Sequence, residues 1–203
     1  MRKTLDNLFK RIHLQRDDVL LVRTHDDLEP QFIKVFYDYV RMYLKDGTLA
    51  VLGDCELNTQ AHQHPYLKQI NTQERLILSS PKMLQILGMD KQSYFVYHPS
   101  IMMGSVGKYA KYLSRAMTVD FPYGQESVFQ ELYDLDAKLI FIDAKHTLYE
   151  AKYALSEDQD KVIFKNASVM QGEIVDYLDF QCDYDLLHQL VFSNGLLLYE
   201  EVD

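Results

Sequence analysis

Short apolar runs alternate with amphipathic segments from residue 4 to residue 142 of the chain. Four runs have the continuous apolar character of strands that are buried on both faces; they lie at 19–22, 49–52, 94–97 and 139–142. Between them, apolar residues recur at helical spacing, which predicts helices at 4–12, 30–44, 80–88 and 127–135. Strands that alternate with helices favour a largely parallel sheet with helices on both faces.

The pattern changes after residue 160. Two short strands, at 162–169 and 174–180, flank a Gln171-Gly172 turn and predict an antiparallel hairpin. A short helix at 184–192 and a strand at 196–200 complete the prediction. We therefore expect one domain over residues 1–203. It is a three-layer α/β/α fold with a mixed, largely parallel sheet and a C-terminal antiparallel hairpin.

Charge and composition argue against several classes of function. The formal net charge is −9 and no basic cluster occurs, which argues against nucleic-acid binding and against an anionic membrane surface. No apolar run approaches 18 residues and no signal-peptide pattern opens the chain, so we expect a cytoplasmic protein. The two cysteines have no metal or redox spacing, and His62-Gln-His64 lacks a third ligand nearby. We therefore expect no metal site.

The stretch from His98 to Ser127 carries the strongest candidate chemistry. Pro99 biases His98 toward an extended conformation, and Val106, Ala110 and Leu113 recur at helical spacing. This pattern predicts a strand end, a tight turn that contains two glycines, and a helix of about three turns. Glycines before a helix allow close approach of a ligand, and first-turn amides attract anions.

The order and spacing of these residues resemble the aminoglycoside 3-N-acetyltransferase family. Its segments HPxxSxxAxGxxA and PFGxxS are matched, in the order of the chain, by His98, Pro99, Gly107, Ala110, Pro122, Gly124 and Ser127, with Tyr123 in place of the phenylalanine. Upstream, a strand that ends near His25 and a GTL strand at 47–49 follow the family's order. Downstream, the segment HTLYEAKYA at 146–154 continues the resemblance.

The resemblance implies acetyl-coenzyme A as a donor that binds as a substrate, not as a prosthetic group. It also implies direct transfer to a small-molecule amine such as an amino sugar. The residues expected to contact the donor are His25, Gly104, Ser105, Gly107, Lys108, Gly124 and Ser127. A homodimer and a monomer are both open at this point.

The expected catalytic residues are Glu150, His146 and His98. The family base is a histidine in a segment like TxxHxxE, but alignment on Thr147 places Glu150 at the histidine and Tyr153 at the glutamate. His146 and Glu150 would lie one helical turn apart and could act as base and orienting group. Alternatively Glu150 acts alone, with a pKa raised by burial, or it faces solvent and has no catalytic role.

Three function hypotheses follow from this comparison, of which the third is an enzyme on the same scaffold with a different donor or acceptor. The leading one is acetyl-coenzyme A-dependent N-acetylation of an amino sugar or aminoglycoside-like amine, with antibiotic resistance as one role. The alternative is a relative that has lost catalysis and serves as a binding or assembly module. Further departures support that alternative: Met102 stands where the family has a serine, Phe95-Val96 replaces an arginine-serine pair, and Asp26-Asp27 replaces two serines.

Overall fold

The computed structural model describes eight segments of the chain: residues 2–24, 28–54, 82–98, 101–115, 120–124, 127–142, 163–170 and 173–180. Their helices are α1 (Arg2–Arg11), α2 (Pro30–Tyr43), α3 (Lys82–Gly88), α4 (Ala110–Leu113) and α5 (Val128–Asp134). Their strands are β1 (Val19–Thr24), β2 (Thr48–Asp54), β3 (Tyr94–Tyr97), β4 (Ile101–Gly107), β5 (Lys138–Ile142), β6 (Ile163–Met170) and β7 (Glu173–Phe180).

A five-stranded mixed sheet in the order β3-β4-β2-β1-β5 forms the middle layer. β1 pairs in parallel with both β2 and β5, whereas β4 is antiparallel to both β2 and β3. β1, β2, β3 and β5 therefore run in one direction and β4 runs against them. The four strands predicted from apolar runs lie in this one sheet, so the predicted α/β fold with a largely parallel sheet is confirmed.

Helices cover both faces of the sheet because residues along each inner strand alternate between two cores. Leu20 and Val22 pack with α1, α2 and α3 in a first core, while Val19 and Leu21 pack with α4 and α5 in a second. Pro30 opens α2 at its first helical position, as its fixed φ and missing N–H favour. The result is the predicted three-layer arrangement.

The strands β6 and β7 pair with each other in antiparallel register from Ile163↔Phe180 to Met170↔Glu173. They form a two-stranded sheet of their own among the described strands. Their positions coincide with the two strands predicted after residue 160. The turn at 171–172, and the predicted helix and strand at 184–192 and 196–200, lie outside the described residues.

The prediction for residues 101–113 was wrong in its secondary structure. Ile101–Gly107 is the strand β4, paired on both sides, and the helix that follows is only Ala110–Leu113. The helical spacing of Val106 and Leu113 is coincidental, because Val106 packs in the first core and Leu113 in the second. A sheet neighbour on each side supplied hydrogen bonds that the local pattern did not reveal.

Gly104 has a packing role within β4. A Cβ at this position would lie 2.7 Å from Cε1 of Phe95 and 2.8 Å from Cδ2 of Leu87, far inside van der Waals contact. The missing side chain thus lets α3 and the neighbouring strand β3 lie close to β4. This close packing gives a structural reason for the glycine.

The end of β4 is interlocked with the start of β2. Gly107 has a φ of 122°, and a Cβ on it would lie only 2.2 Å from the carbonyl oxygen of Gly47. The next two amides are also engaged: Lys108 N–H donates to Gly47 O (3.1 Å) and Tyr109 N–H donates to Thr48 Oγ1 (2.8 Å). Only glycine fits this backbone at position 107.

Gly107→Ala is expected to destabilise the fold, because the alanine must adopt a positive φ and overlaps Gly47 O. The expected cost is at least about 2 kcal/mol in the free energy of unfolding. Lys108→Ala, an exposed neighbour, is the control and should change it by less than about 0.5 kcal/mol. Urea denaturation followed by circular dichroism measures both. Equal urea midpoints for Gly107→Ala and the wild type would contradict the claim that only glycine fits at position 107.

Candidate functional site

The carboxyl ends of four strands meet at one edge of the sheet. β1 ends there at Thr24, β2 at Asp54, β3 at Tyr97 and β5 at Ile142, and the pair Asp54↔Ile101 places the start of β4 beside them. Open α/β sheets bind their ligands outside this edge. We refer to it as the carboxyl edge; Gly107 lies at the opposite edge, paired with Thr48.

His98 lies at the carboxyl edge, in the turn that joins β3 to β4. Its N–H donates to Ile101 O at 2.9 Å, which closes the hairpin. The side chain is buried, with 3% of its surface exposed. Because Val96 and Ile101 both pack in the second core, strand alternation puts His98 on the face that α4 and α5 cover. The expected position of His98 at a strand end is thus what the structure has.

Ser127 caps the N-terminus of α5. Its buried hydroxyl accepts a hydrogen bond from Phe129 N–H at 3.2 Å, as helix-capping serines do. The preceding turn is closed by Gly124 N–H, which donates to Phe121 O at 2.8 Å. Since α5 leads through residues 135–137 into the start of β5, its Ser127 end points toward the carboxyl edge. Ser127 and His98 therefore share one face of the sheet.

The other described residues that were expected to contact the acetyl donor do not lie beside His98 and Ser127. Ser105 is buried in β4 and its hydroxyl donates to Ala110 O at 3.2 Å. Gly107 and Lys108 lie at the other edge of the sheet, about 20 Å from Ile101 at roughly 3.3 Å per strand residue. The amides expected to be free in a turn are engaged in strand pairing or in the interlock. That physical argument for anion binding at 104–108 therefore does not apply.

Three expected site residues lie outside the described part of the chain: His25, His146 and Glu150. In sequence, His25 directly follows the end of β1, and His146 comes four residues after the end of β5. Both strands end at the carboxyl edge.

The structure adds polar groups at the carboxyl edge that the sequence analysis missed. Arg23 and Thr24, the last residues of β1, are both buried, and the hydroxyl of Thr24 has no hydrogen-bond partner in the described part of the chain. Lys82, the first residue of α3, donates from Nζ to Leu28 O at 3.2 Å. The available signal was the Arg-Thr pair that directly follows the apolar run of β1.

The clearly shifted pKa values of the described chain belong to residues away from this edge. Burial and the neighbouring Asp90 raise the pKa of Tyr37 to about 12, where its hydroxyl donates to Asp90 and joins α2 to the end of α3. Burial, and secondarily Asp134, raises the pKa of Glu131 on α5. A hydrogen bond from Tyr112 and the charge of Arg115 oppose that shift.

Two further findings concern metal-binding groups and membrane-spanning helices. Within the eight described segments, no three His, Cys, Asp or Glu side chains are grouped to hold a metal ion. None of the helices in those segments is long and apolar enough to cross a membrane.

A family model described as aminoglycoside 3-N-acetyltransferase matches residues 95–177. Similar solved structures include the YokD protein from Bacillus subtilis (TM-score 0.70, 11% identity, 92% of this chain and 84% of that one). AAC-IIIb, solved as a binary complex with CoASH, has a TM-score of 0.69 at 14% identity over 97% of this chain and 84% of its own. The H154A mutant of aminoglycoside acetyltransferase AAC(3)-IVa, in complex with apramycin, has a TM-score of 0.63 at 13% identity, over 92% of this chain and 76% of its own.

No curated protein matches the chain significantly in sequence. At identities of 11–14% the structural similarity concerns the fold. Together with the family-model match, it makes the chain a distant relative of the aminoglycoside 3-N-acetyltransferases.

Glu131→Gln is expected to raise stability more at pH 8 than at pH 4. The folded state binds the Glu131 proton more tightly than the unfolded state, because its folded pKa lies above the ordinary 4.5. Stability is therefore lost as pH rises from 4.5 through the raised pKa, and the charged form is disfavoured above it. Glutamine carries no charge at any pH and still accepts a hydrogen bond from Tyr112.

Thermal melts of both proteins across this pH range measure the effect. Asp134→Asn is the companion variant, and it should weaken the pH dependence because it removes the neighbouring like charge. A difference in Tm between Glu131→Gln and wild type that is the same at pH 4 and pH 8 would show that Glu131 is not perturbed.

Proposed function

We propose that the protein is an N-acetyltransferase that uses acetyl-coenzyme A to acetylate a small-molecule amine of the amino-sugar or aminoglycoside type. The observation that carries the proposal is the family-model match over residues 95–177. That match includes the His98–Ser127 stretch and also the segment with His146 and Glu150. The neighbouring fold that holds CoASH supports a coenzyme A thioester as the acyl donor.

The formal charge of −9 supports a cationic acceptor. An acidic surface raises the local concentration of cationic ligands and repels nucleic acid. Structures with a similar fold were solved with sisomicin and with apramycin, and on this basis we propose a polyamine sugar as the acceptor class. A cytoplasmic location is proposed with it.

Acetyl transfer places three demands on the protein. The acceptor ammonium must lose a proton, the thioester carbonyl must face the amine, and hydrogen-bond donors must stabilise the tetrahedral oxyanion. The amine nitrogen then bonds to the carbonyl carbon, the carbon–sulfur bond breaks, and the thiolate takes up a proton. In our proposal Glu150 or His146 accepts the proton from the amine.

His98 and Ser127 support this arrangement from the sheet. Both are buried on one face at the carboxyl edge. The backbone of His98 is held by the bond from its N–H to Ile101 O, and the hydroxyl of Ser127 is held by its bond from Phe129 N–H. Fixed polar groups cost no reorganisation when the oxyanion forms. We propose that they orient the reacting groups and that proton abstraction belongs to the segment after β5.

A binding module without catalysis is the second candidate, and the packing of Met102 favours it. The family's serine position is filled here by Met102, which is 1% exposed and packs in the first core. Phe95, at the position of the family's arginine, packs against the same core. Where the family carries polar groups, this chain has apolar side chains that stabilise the fold.

Replacement of the proposed base decides between the two candidates. Release of free thiol from acetyl-coenzyme A with a panel of amino sugars measures transfer. Glu150→Gln removes the carboxylate at constant size, and His146→Ala removes the imidazole; whichever acts as base should lower kcat by about 10²–10⁴-fold. Lys34→Ala, on the exposed side of α2 in an i,i+4 ion pair with Asp38, is the control and should leave kcat unchanged.

Wild-type rates in both Glu150→Gln and His146→Ala would reject both residues as the base. No thiol release with any amine, from protein with a cooperative thermal transition, would reject the enzyme and leave the binding module.

A further inference from the structure

We propose that Met42 and Met89 are modification sites, at which a hydroperoxide converts each thioether to a sulfoxide and thereby weakens the junction between α2 and α3. Met42 lies in the last turn of α2, and Met89 directly follows the last residue of α3. Both helices end at the edge of the sheet opposite the carboxyl edge, where β2 and β3 begin. Oxidation there is independent of the proposed function.

Exposure separates these two methionines from three others of the described chain. Met89 is 80% exposed and Met42 is 67% exposed, whereas Met83, Met102 and Met103 are at most 1% exposed. An oxidant dissolved in water must reach the sulfur atom, so susceptibility follows exposure. Met83, which lies on α3 itself, is therefore an internal reference for a buried thioether.

Met42 is placed on the outer side of α2 by the helix geometry. The buried residues of that helix include Ile33, Phe36 and Val40, which pack in the first core. At about 100° per residue, Met42 lies on the side opposite Ile33. Its thioether can therefore take up an oxygen atom without disturbing the core, and the reaction does not require unfolding.

A carboxylate joins the two helices beside the exposed methionines. Asp90 Oδ2 accepts a hydrogen bond from Tyr37 OH at 3.3 Å and another from Arg41 Nη2 at 3.4 Å. Met42 directly follows Arg41 in the chain. Met89 directly precedes Asp90. Both contacts are long for hydrogen bonds, and the side chains of the ion pair are each 25% exposed, so a competing acceptor can displace the carboxylate.

The reaction is an oxygen transfer from the hydroperoxide to sulfur. The sulfur lone pair attacks the terminal peroxide oxygen and forms an S–O bond, and the O–O bond breaks. The proton of the transferred hydroxyl passes to the departing oxygen, which leaves as water or an alcohol. Sulfur is thus oxidised and the peroxide is reduced. The apolar thioether becomes a polar sulfoxide, and methionine sulfoxide reductases reverse the change.

The sulfoxide oxygen is a hydrogen-bond acceptor that the thioether lacked. The methionine side chain is flexible, so a sulfoxide on either chain neighbour can accept from the Arg41 guanidinium in competition with Asp90. Loss of that ion pair loosens the contact between α2 and the end of α3. We therefore expect oxidation to lower stability while the two cores stay packed.

Peptide mass spectrometry after brief treatment with dilute hydrogen peroxide tests the selectivity. Each sulfoxide adds about 16 Da, and Met42 and Met89 should be oxidised roughly 10-fold faster, or more, than Met83, Met102 and Met103. In protein unfolded by guanidinium chloride these rates should converge, because burial no longer separates the sites. Equal rates at exposed and buried methionines of the folded protein would overturn the modification sites.

Thermal melts test the effect on the junction. The oxidised wild type should melt about 2–4 °C below the untreated protein, and methionine sulfoxide reductase should restore Tm. The double variant Met42→Leu/Met89→Leu keeps apolar side chains of similar size and retains Cys55 and Cys182, so peroxide should leave its Tm unchanged. An equal loss in the double variant, or no loss in fully oxidised wild type, would overturn the proposal.

Asp90→Asn tests the route by which oxidation acts. The ion pair with Arg41 is already removed in this variant, so oxidation should lower its Tm by much less than in wild type. Arg41→Gln makes the same comparison from the other partner. Lys34→Gln, which removes an exposed i,i+4 pair with Asp38 on the same helix, is the matched control and should show the full loss. A full loss in Asp90→Asn and Arg41→Gln would overturn the role of the ion pair.

Discussion

The close contact between Gly47 and Gly107 is the constraint on which the arrangement of the site depends. A Cβ on Gly107 would lie 2.2 Å from Gly47 O, and one on Gly47 would lie 2.3 Å from Asp18 O. Gly107 can approach Gly47 only because it has no side chain, and the missing side chain of Gly47 makes room for the backbone of residues 16–18. The contact fixes the register Thr48↔Gly107, and with it the whole β2–β4 ladder up to Asp54↔Ile101. A one-residue slip would exchange the two faces of β4 and bury Ser105 in the wrong core.

That register has a functional consequence because β4 runs against the other strands. Its start, and the His98 turn before it, are carried to the carboxyl edge, while its glycine-containing end is carried to the opposite edge. A hairpin between β3 and β4 thus delivers His98 to the side where β1 and β5 end. Gly104 completes the arrangement, since its missing side chain lets α3 lie against β4 and places Lys82 near the β1–α2 connection.

Much of this fold was predictable from local signals, and the failures have a common cause. Apolar runs identified β1, β2, β3 and β5, and Pro30 and Ser127 correctly marked helix starts, because each of these features is decided within a few residues. β4 was missed because IMMGSVG contains two glycines and fits a turn equally well. Its pairing with β2, which is distant in sequence, and with β3 makes it a strand. Thr24 and Lys82 lie 58 positions apart in the chain. No sequence spacing could relate them, and only the packing of α3 against α2 brings the lysine to Leu28.

The described polar groups at the carboxyl edge differ in what their hydrogen-bonding atoms contact. His98 is buried in a hairpin turn and Ser127 uses its oxygen to cap α5, so the fold itself requires both to be where they are. Thr24 differs, since its hydroxyl satisfies no described partner and reduces stability as it stands. Natural sequences keep such a cost mainly where function requires it. Met102 and Phe95 pack with the first core and supply no polar group at this edge, which is why the proposed function assigns the base to the segment that follows β5.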